Sequence, residues 1–150
     1  KMAYGRAGEV ASRVPIPLGK GDIKREGDDL TIIAYGNQLF VALDAAEALA
    51  KEGISAEVVD PRTLYPLDKD LIAQSVEKTG NVIVTSEEFK RGSYAGEISA
   101  FVSEELFDDL NSPVRRVCAL DTPVPFAPIL EQTFLPKAED IVAAAREQLG

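Results

Sequence analysis

The chain has 150 residues, a mass of 16.2 kDa, and 45% hydrophobic and 27% charged residues, which fits one ordinary globular domain and excludes a collagenous, low-complexity or wholly disordered chain. A formal net charge of -9, with no Lys/Arg cluster longer than a pair, excludes the basic face of a duplex nucleic-acid binder. The absence of histidine removes the commonest general acid/base, the Ser-His-Asp and Cys-His arrangements and most zinc sites, so any catalysis is expected as part of a larger assembly.

Up to about Gly21 the chain is irregular. Pro15 and Pro17 flank Ile16, and residues 14–18 read as an extended lead-in lying on another surface, or as a disordered linker. Residues 1–21 therefore form a lead-in segment ahead of one domain over residues 22–150. Residues 23–26 form a short charged strand, Gly27-Asp28-Asp29 a turn, and residues 30–35 a β-branched strand, which together predict an antiparallel hairpin. The charged first strand suits a sheet edge. The second alternates too little for a wet face and is expected at the centre, covered on both sides.

Asn37 is the predicted N-cap of a helix over residues 38–51, closed by Gly53. Leu39, Leu43, Ala46 and Leu49 fall on its inner face, with Asp44, Glu47 and Lys51 opposite. Residues 56–60 are a strand ended by Pro61, and residues 64–68 a connector. A helix over residues 68–78 turns Leu71, Ile72 and Val76 inward and stops at Gly80. Residues 81–85 are a buried strand and residues 86–92 a polar loop. A longer helix over residues 94–110 carries Ile98, Phe101, Val102 and Leu106 on one stripe, and Asn111-Ser112-Pro113 ends it. The last strand covers residues 114–119, residues 121–128 are proline-rich loop, and residues 138–149 are the final helix, with Ile141, Ala145 and Leu149 on one side. Strands alternating with helices predict a three-layer α/β/α fold, with a mostly parallel sheet and one antiparallel edge strand.

Ligands of such folds bind at the C-terminal ends of strands: here Tyr35-Gly36-Asn37, Asp60-Pro61-Arg62, residues 85–88 and residues 120–122. No G-x-G-x-x-G joins a strand to a helix. Gly92-Ser-Tyr-Ala-Gly96 begins a helix and has amides for an anion, but no P-loop Lys-Ser/Thr follows it. Of Glu87 and Glu88, one is expected solvated and the other paired with Lys90, Arg91 or Arg62; the alternative makes one a buried acid. Asp60-Pro61-Arg62 reads as a local turn. Cys118, the only cysteine, reads as a small buried hydrophobe and argues for a reducing compartment.

No apolar run approaches the roughly 20 residues of a membrane-spanning helix, and the start has no apolar signal region. No membrane or nucleic-acid partner is therefore expected. Opening on Lys1 rather than an initiator methionine suggests an excised fragment or a tag scar.

Ile16-Pro-Leu-Gly-Lys20 with Asp22-Ile23, Thr31-Ile-Ile-Ala-Tyr-Gly36, Gly53-Ile-Ser-Ala-Glu-Val-Val-Asp60 and Arg62-Thr-Leu-Tyr-Pro-Leu-Asp68 run in order along the chain. Glu87-Glu88, Arg91-Gly-Ser-Tyr-Ala-Gly-Glu97, Asp121-Thr-Pro-Val-Pro-Phe-Ala-Pro128 with Leu130-Glu131, and Glu139-Asp-Ile-Val142 follow them. With this ordered set the chain resembles the C-terminal half of the beta subunit of thiamine diphosphate-dependent 2-oxo acid dehydrogenases: pyruvate, branched-chain 2-oxo acid or acetoin dehydrogenase. Transketolase and deoxyxylulose phosphate synthase, which share the fold, match less closely. A free-standing α/β ligand-binding module is the competing class, and a convergent polar pocket at the strand ends would distinguish it.

The resemblance implies a transketolase C-terminal-like fold and an assembly role in an enzyme that decarboxylates a 2-oxo acid and passes the acyl group to lipoyl. Thiamine diphosphate and Mg would be held in the full enzyme, the diphosphate and metal by the alpha subunit, and none by this chain alone, which is expected to be inactive. Implied partners are the alpha subunit, the N-terminal half of beta, a second beta subunit and the acyltransferase's small basic subunit-binding domain. The implied compartment is the cytoplasm, or the mitochondrial matrix in a eukaryote. Glu131, Glu139, Asp140, Glu147 and the terminal carboxylate of Gly150 are the candidate docking residues for that basic domain. Surplus apolar surface on the helices over residues 38–51 and 94–110 is expected to reach a subunit contact. The departure from the family pattern is Ser93-Tyr94, where relatives often carry a second glycine and an aromatic; it weakens any inference about substrate.

Overall fold

The structure is a computed structural model and describes residues 15–150. The expected lead-in over residues 1–21 therefore lies mostly outside the described residues. Its last part lies on the chain's own connector. Gly19 N–H donates to Thr63 Oγ1 (3.0 Å) and Gly21 N–H to Asp68 Oδ2 (3.0 Å).

In chain order the elements are β1 (Asp22–Arg25), β2 (Leu30–Ala34), α1 (Gln38–Ala50), β3 (Ala56–Asp60), α2 (Lys69–Thr79) and β4 (Val82–Phe89). Then come α3 (Tyr94–Glu105), a 3₁₀ turn (Phe107–Asp109), β5 (Arg115–Ala119), α4 (Pro128–Phe134) and α5 (Ala138–Leu149). The strands form one five-stranded sheet in the order β1-β3-β2-β4-β5. Only the β1–β3 pair is antiparallel. The predicted class, a mostly parallel α/β sheet with one antiparallel edge strand, is the observed one.

All five residues of β2 are buried, as a central strand covered on both faces requires. Alternate β2 side chains enter two cores. Leu30, Ile32 and Ala34 pack with Ala42, Ala45, Ala46 and Leu49 of α1 and Ile141, Val142 and Ala145 of α5. Ile33 joins Ile72 and Val76 of α2 and Ala95, Ile98, Phe101 and Val102 of α3 on the other face. Alanines at three inward positions let α1 lie close on the sheet. The inner face of α1 is thus rotated from the predicted one, and Leu39 and Leu43 are only partly buried at its margin.

The predicted hairpin does not form. β1 pairs with β3, and β2 lies on the other side of β3, so the connection between β1 and β2 crosses the start of β3. Asp28 and Asp29 N–H groups donate to Ser55 O (3.0 and 2.9 Å), pinning the crossing. Gly27 lies so close on the Ala56–Glu57 peptide that a Cβ there would overlap it. Glu57 is fully buried beneath the crossing; it accepts from Gly27 N–H (3.4 Å) and is bonded to Lys78 of α2. Burial pushes the Glu57 carboxyl up, but the bonds from Lys78 and Ser75 outweigh it and hold the group below the usual carboxylate range.

Other differences are local. Asn37 stands at the N-cap of α1 but makes no side-chain cap bond, whereas Asp68 caps α2 by accepting from Leu71 N–H (3.3 Å). β4 continues through Phe89, because β5 pairs with its last residues through a register shift. α3 stops at Glu105, ahead of the 3₁₀ turn. α4, starting on Pro128, was not expected; Pro at the first helical position supplies a helix-compatible φ and lacks only an N–H that would be unpaired there. Of the ten exposed large apolar side chains among the described residues, five lie on residues 120–130 (Leu120, Val124, Phe126, Ile129 and Leu130); α1 and α3 carry none, and Phe107, in the 3₁₀ turn, is the one within residues 94–110.

Gly27→Ala is expected to lower unfolding free energy by about 2 kcal/mol or more, the range of a backbone overlap that forces a shift. Urea denaturation of the variant checks this, and an unchanged midpoint would count against the crossing.

Candidate functional site

The C-terminal ends of β2 and β4 are where ligand crevices open in this architecture, because the chain leaves the two strands toward opposite faces. The turn after β2 uses Gly36 at a left-handed φ of 61°. It sends Tyr35 toward β4 and Gln38 back under α1. Gln38 is buried; its Oε1 accepts from Thr85 Oγ1 (3.0 Å) and its Nε2 donates to Pro136 O (3.2 Å). Tyr35 OH donates to Glu88 Oε2 at 2.6 Å, and the same oxygen accepts from Tyr94 N–H, in the first turn of α3, at 3.1 Å. Burial and the Glu88 carboxylate together raise the Tyr35 phenol well above the usual tyrosine range.

These contacts tie the ends of β2 and β4 together with the chain's own side chains, and a pocket of about 340 Å³ lies beside them, lined by Asn37, Gln38, Val41 and Leu135 among others. The amide at the start of α3, which the sequence offers to an anion without the P-loop residues to hold it, already faces a carboxylate, which favours the helix N-terminus electrostatically and opposes a second anion there. A diphosphate does not fit these residues. The described residues also hold no group of three or more His, Cys, Asp or Glu side chains placed to bind a metal.

Glu87 and Glu88 are both exposed, and neither takes the predicted cationic partner. Arg91 pairs instead with Asp121 (2.5 Å) and Arg62 with Asp22 (2.8 Å). Glu88 is held by the Tyr35 phenol and a helix amide. A helix start shortly after the carboxylate was the one sequence signal for this arrangement. Asp60-Pro61-Arg62 is the expected tight turn: Asp60 Oδ1 accepts from Arg62 N–H (2.9 Å), and Arg62 stands at φ 58°. Cys118 is half-buried beside Ser86, whose hydroxyl lies 3.8 Å from the sulfur, and burial pushes its thiol up.

The docking candidates lie on the last two helices. Glu131 is exposed on α4. Glu139 and Asp140 occupy the first turn of α5, where Asp140 Oδ2 accepts from Lys137 N–H (2.8 Å). Glu147 is at the other end of α5, about 12 Å along the axis from Glu139 at 1.5 Å per residue, and Gly150 follows the helix. The adjacent Arg146 is bound by Glu52 through two bonds of 2.6 and 2.9 Å.

The order β1-β3-β2-β4-β5, with one antiparallel edge strand and helices on both faces, defines a three-layer α/β domain of the transketolase C-terminal class. Residues 19–141 match the family described as "Transketolase, C-terminal domain", and the chain belongs to it. Its full length is 48% identical to the beta subunit of acetoin:2,6-dichlorophenolindophenol oxidoreductase of Bacillus subtilis, over 44% of that protein. It is 47% identical to the 2-oxoisovalerate dehydrogenase beta subunit of the same organism, with 93% of the chain and 43% of the relative covered. A mitochondrial pyruvate dehydrogenase E1 beta-1 subunit of Arabidopsis thaliana is 45% identical over 97% of the chain and 42% of its own length. The chain thus spans less than half of each of these curated relatives. Among solved structures, a split-gene transketolase described as an inactive beta4 tetramer superposes with a TM-score of 0.76 at 34% identity, over 95% of this chain and 45% of that one.

The neutral Tyr35 phenol is favoured in the fold. Its stabilisation is therefore complete below the unfolded tyrosine value of about 10 and fades as pH rises from there toward the folded value. Tyr35→Phe is expected to cost about 1 kcal/mol at neutral pH, the net worth of one hydrogen bond, and to remove one late-ionising phenol from an ultraviolet alkaline titration. An unchanged titration would refute the bridge.

Proposed function

We propose that this chain is the C-terminal assembly domain of the beta subunit of a 2-oxo acid or acetoin dehydrogenase. The observation that carries the reading is the apolar surface of residues 120–130. Phe126 is 103% exposed, Ile129 73% and Val124 66%, on a chain of net charge -9. Apolar side chains exposed along one short segment of an otherwise acidic chain are the mark of a protein contact. The polar groups at the strand ends, Tyr35, Glu88, Gln38 and Thr85, bond to one another or to the backbone rather than converging on an open polar pocket, which speaks against a free-standing ligand-binding module.

In this reading the enzyme oxidatively decarboxylates a 2-oxo acid, with thiamine diphosphate and Mg bound outside this domain, and hands the acyl group to lipoyl. The alpha subunit, the N-terminal half of beta and a second beta subunit cover the apolar surface. Among the described residues no helix is long and apolar enough to cross a membrane. The enzyme works in the cytoplasm, or in the mitochondrial matrix in a eukaryote, in keeping with the mitochondrial relative of Arabidopsis thaliana. Co-expression with a candidate alpha subunit and the N-terminal half of beta should yield a co-purifying complex. Phe126→Asp should abolish it while leaving the circular dichroism spectrum unchanged. Failure of the parent chain to co-purify would overturn the assignment.

The acyltransferase's basic subunit-binding domain docks, in the same reading, on Glu131, Glu139, Asp140, Glu147 and the Gly150 carboxylate through charge-assisted bonds. Glu139→Gln with Asp140→Asn, or removal of the residues after Arg146, should weaken that docking in the assembled enzyme. The loss should shrink with added salt as the Debye length falls from about 10 Å at 0.1 M to about 3 Å at 1 M. Because Asp140 also caps α5, helicity is measured alongside. Undiminished binding at low salt would move the docking site elsewhere.

A further inference from the structure

A groove of about 330 Å³ opens between α3 and the connector that follows β3, on the α2–α3 side of the sheet. Tyr65, Pro66 and Leu67 line it from the connector, and Ala100, in the middle of α3, leaves it room. The connector is held in place. Tyr94 OH donates to Leu64 O, Thr63 Oγ1 donates to Pro66 O (2.8 Å), and Gly19 passes so close that a Cβ there would stand 2.9 Å from the Pro66 ring. Tyr65 is nevertheless 92% exposed, more than any other large apolar side chain of the described residues outside 120–130. A ring presented on a fixed backbone loses little freedom when a partner covers it.

Three carboxylates, Glu97, Glu104 and Glu105, and one cation, Lys69, line the groove, an excess of two negative charges (three minus one). Carboxylates are common on this chain; what sets these apart is the aromatic surface among them. Lys69 shows what the combination does. Its Nζ donates to Glu105 Oε1 at 2.6 Å and lies 4.3 Å from the centroid of the Phe101 ring. One cation is thus already held between a ring face and a carboxylate. Tyr65, Glu97 and Glu104 offer the same two components to a second cation, one from outside. Glu97 and Glu104 stand about 10 Å apart along α3 at 1.5 Å per residue, too far to share one metal ion. An organic cation with an apolar stem suits the groove better. A guanidinium is planar and weakly hydrated, so it leaves water for a ring at less cost than an ammonium, and its methylene stem covers Ala100 and Pro66.

We infer that this groove receives an arginine from a basic segment of a partner chain, its guanidinium stacked on Tyr65 and bonded to the carboxylates of α3. A second copy suits the site less well. Meeting it face to face, about a two-fold axis, would set Glu97 and Glu104 against their counterparts. Meeting it with any other surface gives a head-to-tail contact, which must close as a ring or run on as a filament, between chains that each carry a net charge of -9. The α5 carboxylates proposed for docking the basic domain belong to the other side of the sheet, so the two readings stand or fall separately.

The test titrates the whole chain, labelled with nitrogen-15, with the peptide acetyl-Gly-Arg-Ala-Arg-Gly-amide at low ionic strength and follows amide chemical shifts. Saturable shifts are expected at Tyr65, Leu67 and residues 97–105. Citrulline in place of both peptide arginines keeps the shape and removes the charge, so the shifts should vanish; lysine in their place should bind more weakly. Tyr65→Ala with Glu104→Gln, both exposed positions, should weaken binding about fivefold or more at an unchanged circular dichroism spectrum. If that pair perturbs the spectrum, Tyr65→Ala alone must give a loss in the same direction. Glu47 is an exposed carboxylate on α1, and Glu47→Gln should leave binding unchanged. The inference is overturned by no shifts at the groove, by equal binding of the citrulline or lysine peptide, or by indifference to the Tyr65 substitution. An equal loss with Glu47→Gln overturns it as well, making the attraction one of net charge only. So does self-association of the parent chain that Tyr65→Ala abolishes, which would give the groove to a second copy.

Discussion

The chain crosses the first peptide of β3 at Gly27, and the sheet order depends on that crossing. Only a residue without a Cβ passes there, and Glu57, buried below it, ties the crossing to α2 through Lys78. With β1 carried to the outside of β3, the charged Asp22–Arg25 strand becomes an edge, and β2 is left between two parallel neighbours. The two cores follow, because β2 then has no solvent face and must feed apolar side chains alternately to the α1–α5 layer and the α2–α3 layer. A carboxylate buried at such a point is tolerated because a lysine and a backbone amide meet it; alone it would be among the costliest groups in the fold.

That crossing is also where local sequence ceases to determine the fold. β3 and α5 were bounded to the residue, because Pro61 and the turn signals around each leave little freedom. The charged edge strand and the buried central one were also readable from composition. Their partners were not. Gly27-Asp28-Asp29 has the chemistry of a hairpin turn, and nothing local distinguishes folding back from stepping over a strand nearly thirty residues away. α4, with seven residues, is too short to display a period, and Pro123 and Pro125 ahead of it, with Pro128 at its start, read as loop. In the strand-end site, the pairing of Glu88 with a phenol and a helix amide rather than with a nearby arginine depends on distances that charge pattern does not carry.

The distribution of surface types fits a domain whose work is contact. At the strand ends, where this architecture often keeps a ligand, Tyr35, Glu88 and Gln38 spend their polar groups on the chain's own atoms. Half of the exposed large apolar side chains lie on residues 120–130, and carboxylates outnumber cations over the chain. Aromatic and aliphatic anchors on one side with charge elsewhere favour stable burial at one surface and electrostatic selection at others. The proposed beta-subunit role asks for this division.

The sheet contains no pair of strands adjacent in the chain that also pair in space by a tight turn. The nearest partners in sequence are Leu30 and Ala56, 26 residues apart (56 minus 30), and Thr31 meets Val82 across 51 (82 minus 31). Every ladder therefore waits on closure of a long loop before its hydrogen bonds can repay the lost chain entropy. Helices such as α1 and α5 can form locally on much shorter times, so the sheet is the slow event in this chain's folding. Until it closes, Ile32, Ile33, Val58, Val59 and Ile83, all fully buried in the native state, remain exposed in strands that lack partners. The acidic surface then keeps neighbouring unfolded chains apart by mutual repulsion during that interval.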